Sequence, residues 1–292
     1  MLATFVIGLR EGLEAALIVG IVAAFLRQRG RLDALRMVWI GVAIAIAVCA
    51  AGAVLLQAWS ASLPQAQQEG LETVIGLAAV AMVSYMILWM RGHARGLKRE
   101  LERATEAAIE SGTAAALVAM AVLAVFREGF ETAVFLLAAF NASTAPLAAG
   151  IGAVLGIVVA AGLGYGLYRG GIRIDLARFF RVTGFVLVLV AAGLVATAAH
   201  TAHEAGWLNA GQQQLLDLAW LVQPGSIASA LLTGVLGIQP RPTLIEAVAW
   251  LAYLVPMALV VLWPAPARPR SATAAPVAAT GAATAERGAP LP

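Results

Sequence analysis

Seven apolar stretches, at about residues 2–26, 37–57, 69–90, 113–140, 147–168, 182–202 and 243–263, constrain this chain more than any other feature. Each can cross about 30 Å of hydrocarbon, which takes about 20 helical residues. In lipid every backbone N–H and C=O must be satisfied within the segment, so such stretches fold as helices. The rest of the composition agrees. Only 12% of the 292 residues are charged against roughly a quarter in soluble domains, 61% are hydrophobic, and mean hydropathy is +0.88. The expected fold class is an all-α integral membrane protein with seven transmembrane helices.

Loop charge sets the orientation. Segments 27–36, 91–103 and 169–181 are arginine-rich, whereas 58–68, 141–146 and 203–240 carry no Lys or Arg. The positive-inside rule then places the N-terminus outside and the C-terminus inside, with 16 of the 19 basic residues on the inner side and Arg241 outside. The first stretch lacks a basic region ahead of it and is interrupted by charge, so it reads as a retained span rather than a signal peptide. The tail, 264–292, is Pro/Ala/Thr-rich and is expected to be disordered, dispensable and cytoplasmic.

The two remaining basic residues, Arg10 and Arg127, lie inside spans. "REGLEAALIVG" at 10–20 returns as "REGFETAVFLL" at 127–137. Each intramembrane charge costs roughly 2.5–3.5 kcal/mol on insertion scales, so three per helix demand a reason. Because spans alternate in direction, the two motif helices run oppositely. Helices one to three (about 1–110) and four to six (about 111–204) then form an inverted 3+3 repeat, followed by a periplasmic segment (203–242) and an appended seventh helix (243–263). Segment 208–238 is apolar enough to hold an interfacial or re-entrant stretch.

Residues three and four apart share a helix face, so Glu11 and Glu14 form one carboxylate pair beside Arg10, and Glu128 and Glu131 another beside Arg127. Rise per residue puts Arg10–Glu14 about 12–18 Å into the first span, close to mid-bilayer. Four carboxylates with two guanidiniums leave a net negative site suited to a hard, multiply charged cation. Iron fits, Fe(III) above all, and Mn(II), Mg(II) and Ca(II) satisfy the same chemistry. Simple interhelical salt bridging needs one Glu per Arg, whereas each motif supplies two.

On the outer side, Glu69 and Glu72 open the third helix and His200, His203 and Glu204 close the sixth, a candidate site that collects metal. Interfacial polar residues in contact with water are the plain alternative. Glu246, at the outer start of the seventh helix, is either a path residue or a cap. "MVSYMILWM" (82–90) reads as core packing rather than a thioether ladder. Gly8 and Gly12, and the glycine-rich fifth helix, read as close-packing faces.

A lone cysteine, Cys49, and three histidines exclude an intrachain disulfide, a CxxC pair and a histidine-rich zinc site. An intramembrane enzyme is disfavoured further by the absence of a GxSxG turn. A proton- or sodium-coupled carrier of an organic cation would call for aromatic residues at the site, and only Phe130 lies within a motif.

Paired REGLE and REGFE motifs on the first and fourth of seven helices, EGLE opening the third and HEAGW after the sixth resemble the oxidase-dependent iron permease family, over about residues 1–263. The resemblance implies that Glu11, Glu14, Glu128 and Glu131 bind iron during high-affinity uptake across the cytoplasmic (inner) membrane. Arg10 and Arg127 match the motif arginines. It also implies iron as transported substrate rather than resident cofactor, and a separate periplasmic iron-binding, ferroxidase or peroxidase partner. Relatives that serve other metals keep Mn2+ and Pb2+ in play.

Overall fold

A computed structural model describes residues 1–93, 114–143, 145–169, 175–218, 220, 232–233 and 236–262. The basic segment after the third helix and the tail 264–292 lie outside the described residues. Seven long helices are present among them: α1 (Leu2–Gln28), α2 (Leu32–Ser60), α3 (Gln65–His93), α4 (Ala114–Asn141), α5 (Pro146–Tyr168), α6 (Leu176–Glu204) and α7 (Leu244–Leu262). Five of these are long and apolar enough to cross a membrane. The other two, α1 and α4, have 27 and 28 residues and carry the motif charges. The protein is therefore an all-helical, multi-pass membrane protein.

The helices match the apolar stretches but overrun several of them. Local capping explains where they stop. At the start of α6 the Asp175 carboxylate accepts the Arg178 N–H at 3.1 Å, satisfying a donor that the helix leaves open. Its other end, within "HEAGW", is a Schellman turn: Gly206 adopts φ +79°, its N–H bonds the His203 carbonyl at 2.8 Å, and Trp207 N–H bonds the Ala202 carbonyl at 2.8 Å. Trp207 is thereby laid over Gly70, where a Cβ would come within 2.8 Å of the indole.

Packing follows a regular plan. Helix α1 lies against α5 and α2 against α4; α1 touches α4, and α3 touches α6; α1 also contacts α6 as α4 contacts α3. Exchanging α1 with α4, α2 with α5 and α3 with α6 leaves these pairings unchanged, and α7 is added mainly on α6. Residue contacts fix the directions. Gly8 faces Ala153, Gly12 faces Ala160 and Ala16 faces Gly164, so α1 and α5 run parallel. Gly41 faces Val122 and Gly129 faces Cys49, so α2 and α4 also run parallel. Thr73 bonds Thr201 at 2.7 Å and Gly76 faces Ala198, so α3 and α6 run antiparallel.

Small residues make the closest seam. Lipid offers no hydrophobic drive between helices, so association depends on van der Waals contact and on close backbone approach. A Cβ on Gly8 would come within 2.7 Å of the Ala153 carbonyl oxygen, and one on Gly156 would strike Phe5 and Leu9 backbone atoms. Thr4 Oγ1 adds a hydrogen bond to the Ala149 carbonyl at 2.7 Å. The main apolar core joins α1, α3, α4 and α6 through Ile7, Phe135, Leu187 and Val188, and includes Val83, Met86, Ile87 and Met90 of "MVSYMILWM". A smaller one joins α1, α2 and α4 through Val22, Val38 and Ala121.

Between α6 and α7, residues 213–218 pair with 240–244, with Leu215 N–H on Pro242 and Leu218 N–H on Pro240 carbonyls. Most of the rest of the 208–238 segment lies outside the described residues. Gly237, at φ +63°, packs on Gly193, about 16 Å from the α6 C-terminus at 1.5 Å per residue. Trp250 Nε1 donates to the Leu236 carbonyl at 2.7 Å, satisfying backbone that no helix covers.

Candidate metal centre

Both motifs sit where α1 meets α4, the first buried and the second with Arg127 and Phe130 exposed. In α1 the Arg10 Nε lies 3.3 Å from Glu14 Oε1 and its Nη1 lies 3.8 Å from Glu11 Oε1. Arg10 and Glu11 are each only 1% exposed. In α4 the Arg127 Nε donates to Glu131 Oε1 at 2.9 Å, and Glu128 is buried. Helical spacing produces both ion pairs at i, i+4.

Across the interface the motifs converge. Glu11, Glu128 and Glu131 each offer a carboxylate oxygen, and the three atoms lie within 4.8 Å of one another. Glu14 borders this group, close enough for the charges of Glu131 and Arg127 to act on it. Oxygen atoms at this separation suit the shared coordination of a cation with oxygen ligands about 2.0–2.6 Å from it.

Hydrogen bonding singles out the same place. Among the described residues, the buried side-chain N and O atoms without a hydrogen-bond partner are Arg10 Nε and Nη1, Glu11 Oε1 and Oε2, Glu14 Oε1 and Glu128 Oε2. All six belong to the duplicated motif. Buried polar atoms are paired almost without exception in folded proteins, so this concentration sets the motif apart from the rest of the described residues.

The outer group assembles in part. His200 Nδ1 lies 2.8 Å from Glu246 Oε1 and its Nε2 lies 3.5 Å from Glu204 Oε1. Glu69 comes within hydrogen-bond reach of Glu204. Glu72 instead receives Gln68 Nε2 at 3.4 Å, and His203 Nδ1 bonds the Leu208 carbonyl at 2.8 Å, at the α6 C-terminus. Glu246 is the partner that sequence reasoning left unassigned. "TLIE" (243–246) has the T-x-x-E form of a capping box, and Thr243 N–H does donate to Glu246 Oε2 at 3.1 Å. That pattern locates Glu246 at a helix start; its bond to His200 depends on how α6 and α7 pack.

A membrane protein with carboxylates converging between antiparallel helices belongs among the ion permeases, and comparison with known proteins narrows the class. The Iron permease FTR1 family pattern matches residues 1–266. The chain is 39% identical over 281 residues to "Ferrous iron permease EfeU" of Yersinia pestis, covering 96% of this chain and 98% of that protein. It is 39% identical over 277 residues to the protein of that name in Yersinia pseudotuberculosis (94% and 95% covered). The corresponding figures for Escherichia coli O6:K15:H31 are 38% over 258 residues (88% and 93%). No solved structure matches. The chain belongs to the iron permease FTR1 family.

Proposed function

We propose that this protein is a high-affinity iron uptake permease of the cytoplasmic (inner) membrane, moving Fe3+ or Fe2+ through Glu11, Glu14, Glu128 and Glu131. The observation that carries the reading is the coincidence of all six unpartnered buried side-chain atoms with the duplicated motif. The ion pairs within each motif, Arg10–Glu14 at 3.3 Å and Arg127–Glu131 at 2.9 Å, still leave both Glu11 oxygens and one Glu128 oxygen without a hydrogen bond, and a poorly compensated buried charge costs several kcal/mol. A cation resolves the cost, and hard carboxylate oxygens suit iron.

All seven helices span the bilayer, with the N-terminus outside and the C-terminus inside, as the distribution of arginine indicates. Residues of about 1–110 and 111–204 form inverted repeats. The unchanged pairing pattern on exchange, the parallel α1/α5 and α2/α4 seams and the antiparallel α3/α6 seam support this. Metal is collected on the outer face by the group around Glu69, Glu72, His200, His203 and Glu204, passes to the midplane carboxylates, and is released inward as the repeats rearrange. Arg10 and Arg127 hold the carboxylates and limit repulsion while no cation is bound. The relatives' name, ferrous iron permease, favours Fe2+ as the species carried. A separate periplasmic iron-binding, ferroxidase or peroxidase partner supplies it.

Radio-iron uptake into vesicles, with Mn(II), Zn(II) and Pb(II) as competitors, tests this. Glu14→Gln and Glu131→Gln are expected to abolish uptake while inserting normally. Unchanged uptake in both variants sinks the mechanism, and stronger transport of Mn(II) or Pb(II) than of iron reassigns the substrate.

A further inference from the structure

We infer that Glu246 holds His200 so that its Nε2, together with Glu204 and Glu69, forms a second cation site at the outer end of α6, selective for divalent first-row transition ions. This deepens the outer collecting site just proposed and rests on the reading that metal arrives from that face.

The geometry is fixed from behind. Glu246 is 3% exposed, and both its oxygens are engaged. Oε2 accepts the Thr243 N–H at 3.1 Å as part of the α7 cap, and Oε1 accepts from His200 Nδ1 at 2.8 Å. An ionised carboxylate only accepts, so Nδ1 must carry the proton. The ring can then turn little, and Nε2 faces the opposite way.

What Nε2 faces is electron-rich. Glu204 Oε1 lies 3.5 Å away, an ion-pair distance when the ring is protonated, and Glu204 is beside Glu69. The three donors are not drawn together as Glu11, Glu128 and Glu131 are, so a cation closes this site by displacing that proton and turning the exposed carboxylates. The His200 and Glu204 side chains are 42% and 40% exposed, so an ion can reach them from water. A histidine donating one ring nitrogen to a buried carboxylate while presenting the other to a metal is a recurring support arrangement. Here the orienting carboxylate belongs to α7, the histidine and one carboxylate to α6, and the other carboxylate to α3, so the site ties three helices together.

Donor chemistry gives this site a role the midplane site lacks. Glu11, Glu14, Glu128 and Glu131 offer oxygen alone, which suits Mg(II) and Ca(II) as well as iron. An imidazole nitrogen shifts preference toward Fe(II), Co(II), Ni(II) and Zn(II). The outer site therefore rejects the abundant hard divalent ions before they reach the carboxylates.

Co(II) is a direct probe, because its visible ligand-field absorption reports nitrogen ligation. Full-length protein in detergent, carrying Glu14→Gln and Glu131→Gln to remove the midplane site, is titrated with Co(II). One equivalent is expected to bind, resistant to a large excess of Mg(II). His200→Gln should abolish the absorption, and Glu246→Ala should weaken Co(II) affinity about 10–100-fold. Glu246→Gln keeps an acceptor for Nδ1–H and should retain most of the affinity, which separates ring orientation from damage to the α7 cap. Co(II) absorption unchanged by His200→Gln, or equal affinity in Glu246→Ala, overturns the proposal. Loss of this site with iron uptake intact leaves the permease reading standing. Co(II) bound at His200 in a protein that takes up no iron does the reverse.

Discussion

The two copies of the motif have nearly the same sequence and quite different surroundings. Arg10 is 1% exposed, wedged beside Glu11 and Glu14 with Nε and Nη1 lacking hydrogen bonds of good geometry. Arg127 has a side chain 62% exposed and makes one well-formed bond to Glu131. The neighbours explain the difference. Helix α1 lies against α2, α4, α5 and α6, and α4 against α1, α2, α3 and α5, but α1 is held closely along α5 by small residues, whereas one flank of α4 presents Leu123, Phe126 and Phe130 outward. A duplicated sequence therefore does not mean duplicated energetics: the first copy is the rigid, dependent half, and the second is the accessible half.

The largest test of this comparison is to remove each arginine. Arg10→Ala strands two buried carboxylates without their counter-ion, a loss of about 3–5 kcal/mol. Arg127→Ala removes an arginine on the outward flank of a spanning helix, where the charge itself costs roughly 2.5–3.5 kcal/mol at mid-bilayer, so the net loss should be smaller than for Arg10→Ala. Thermal unfolding of the two detergent-solubilised variants reads the difference. Equal loss of stability would show that the copies are energetically equivalent despite their burial.

The seams behind each motif should differ in the same direction, by less. Gly156 of α5 meets α1 backbone to backbone: a Cβ there strikes the Phe5 carbonyl and the Leu9 nitrogen, neither of which can swing aside. On the α2/α4 seam a Cβ on Gly129 meets the Cys49 sulfur at 3.0 Å, the end of a side chain that can rotate. Gly156→Ala is expected to cost about 1–3 kcal/mol, as overpacking does, and Gly129→Ala about 1 kcal/mol or less. Iron uptake should fall with the former and survive the latter, and the opposite ranking would assign the rigid role to α4.

This asymmetry was the part least legible in the sequence. The seven helices could be read directly, since each apolar stretch alone answers the demand of lipid; their ends moved outward with a side-chain cap at Asp175 and without one at the start of α2. A repeated motif on oppositely directed helices led to the expectation of four converging carboxylates, and the structure brings three of them, Glu11, Glu128 and Glu131, into one group with Glu14 at its border. Glycine spacing marked the close-packing faces of α1 and α5 without saying that they were partners. What stayed hidden depends on packing between distant segments: the burial of Arg10 against the exposure of Arg127, and the bond from Glu246 to His200. Neither follows from periodicity, because each is decided by which helix happens to lie alongside.

The smallest expected effect asks whether the tightness around α1 extends to the outer end of α6. Gly206 stands at φ +79°, a left-handed conformation that a Cβ disfavours, and its turn aims Trp207 at Gly70. Gly206→Ala should cost about 1 kcal/mol, while Gly206→Asn, which tolerates that conformation, should recover much of it. At Gly70 the obstacle is the Trp207 ring, which is 62% exposed and free to move, so Gly70→Ala should cost less still. If Gly70→Ala proves the costlier change, the Trp207 contact rather than the turn fixes this end of α6. The outer group would then share the rigidity of the α1/α5 seam, where backbone meets backbone. If the order holds, His200 and Glu204 ride on a helix end secured by its own cap, by the Thr73–Thr201 bond to α3 and by Glu246, rather than by the Trp207 contact.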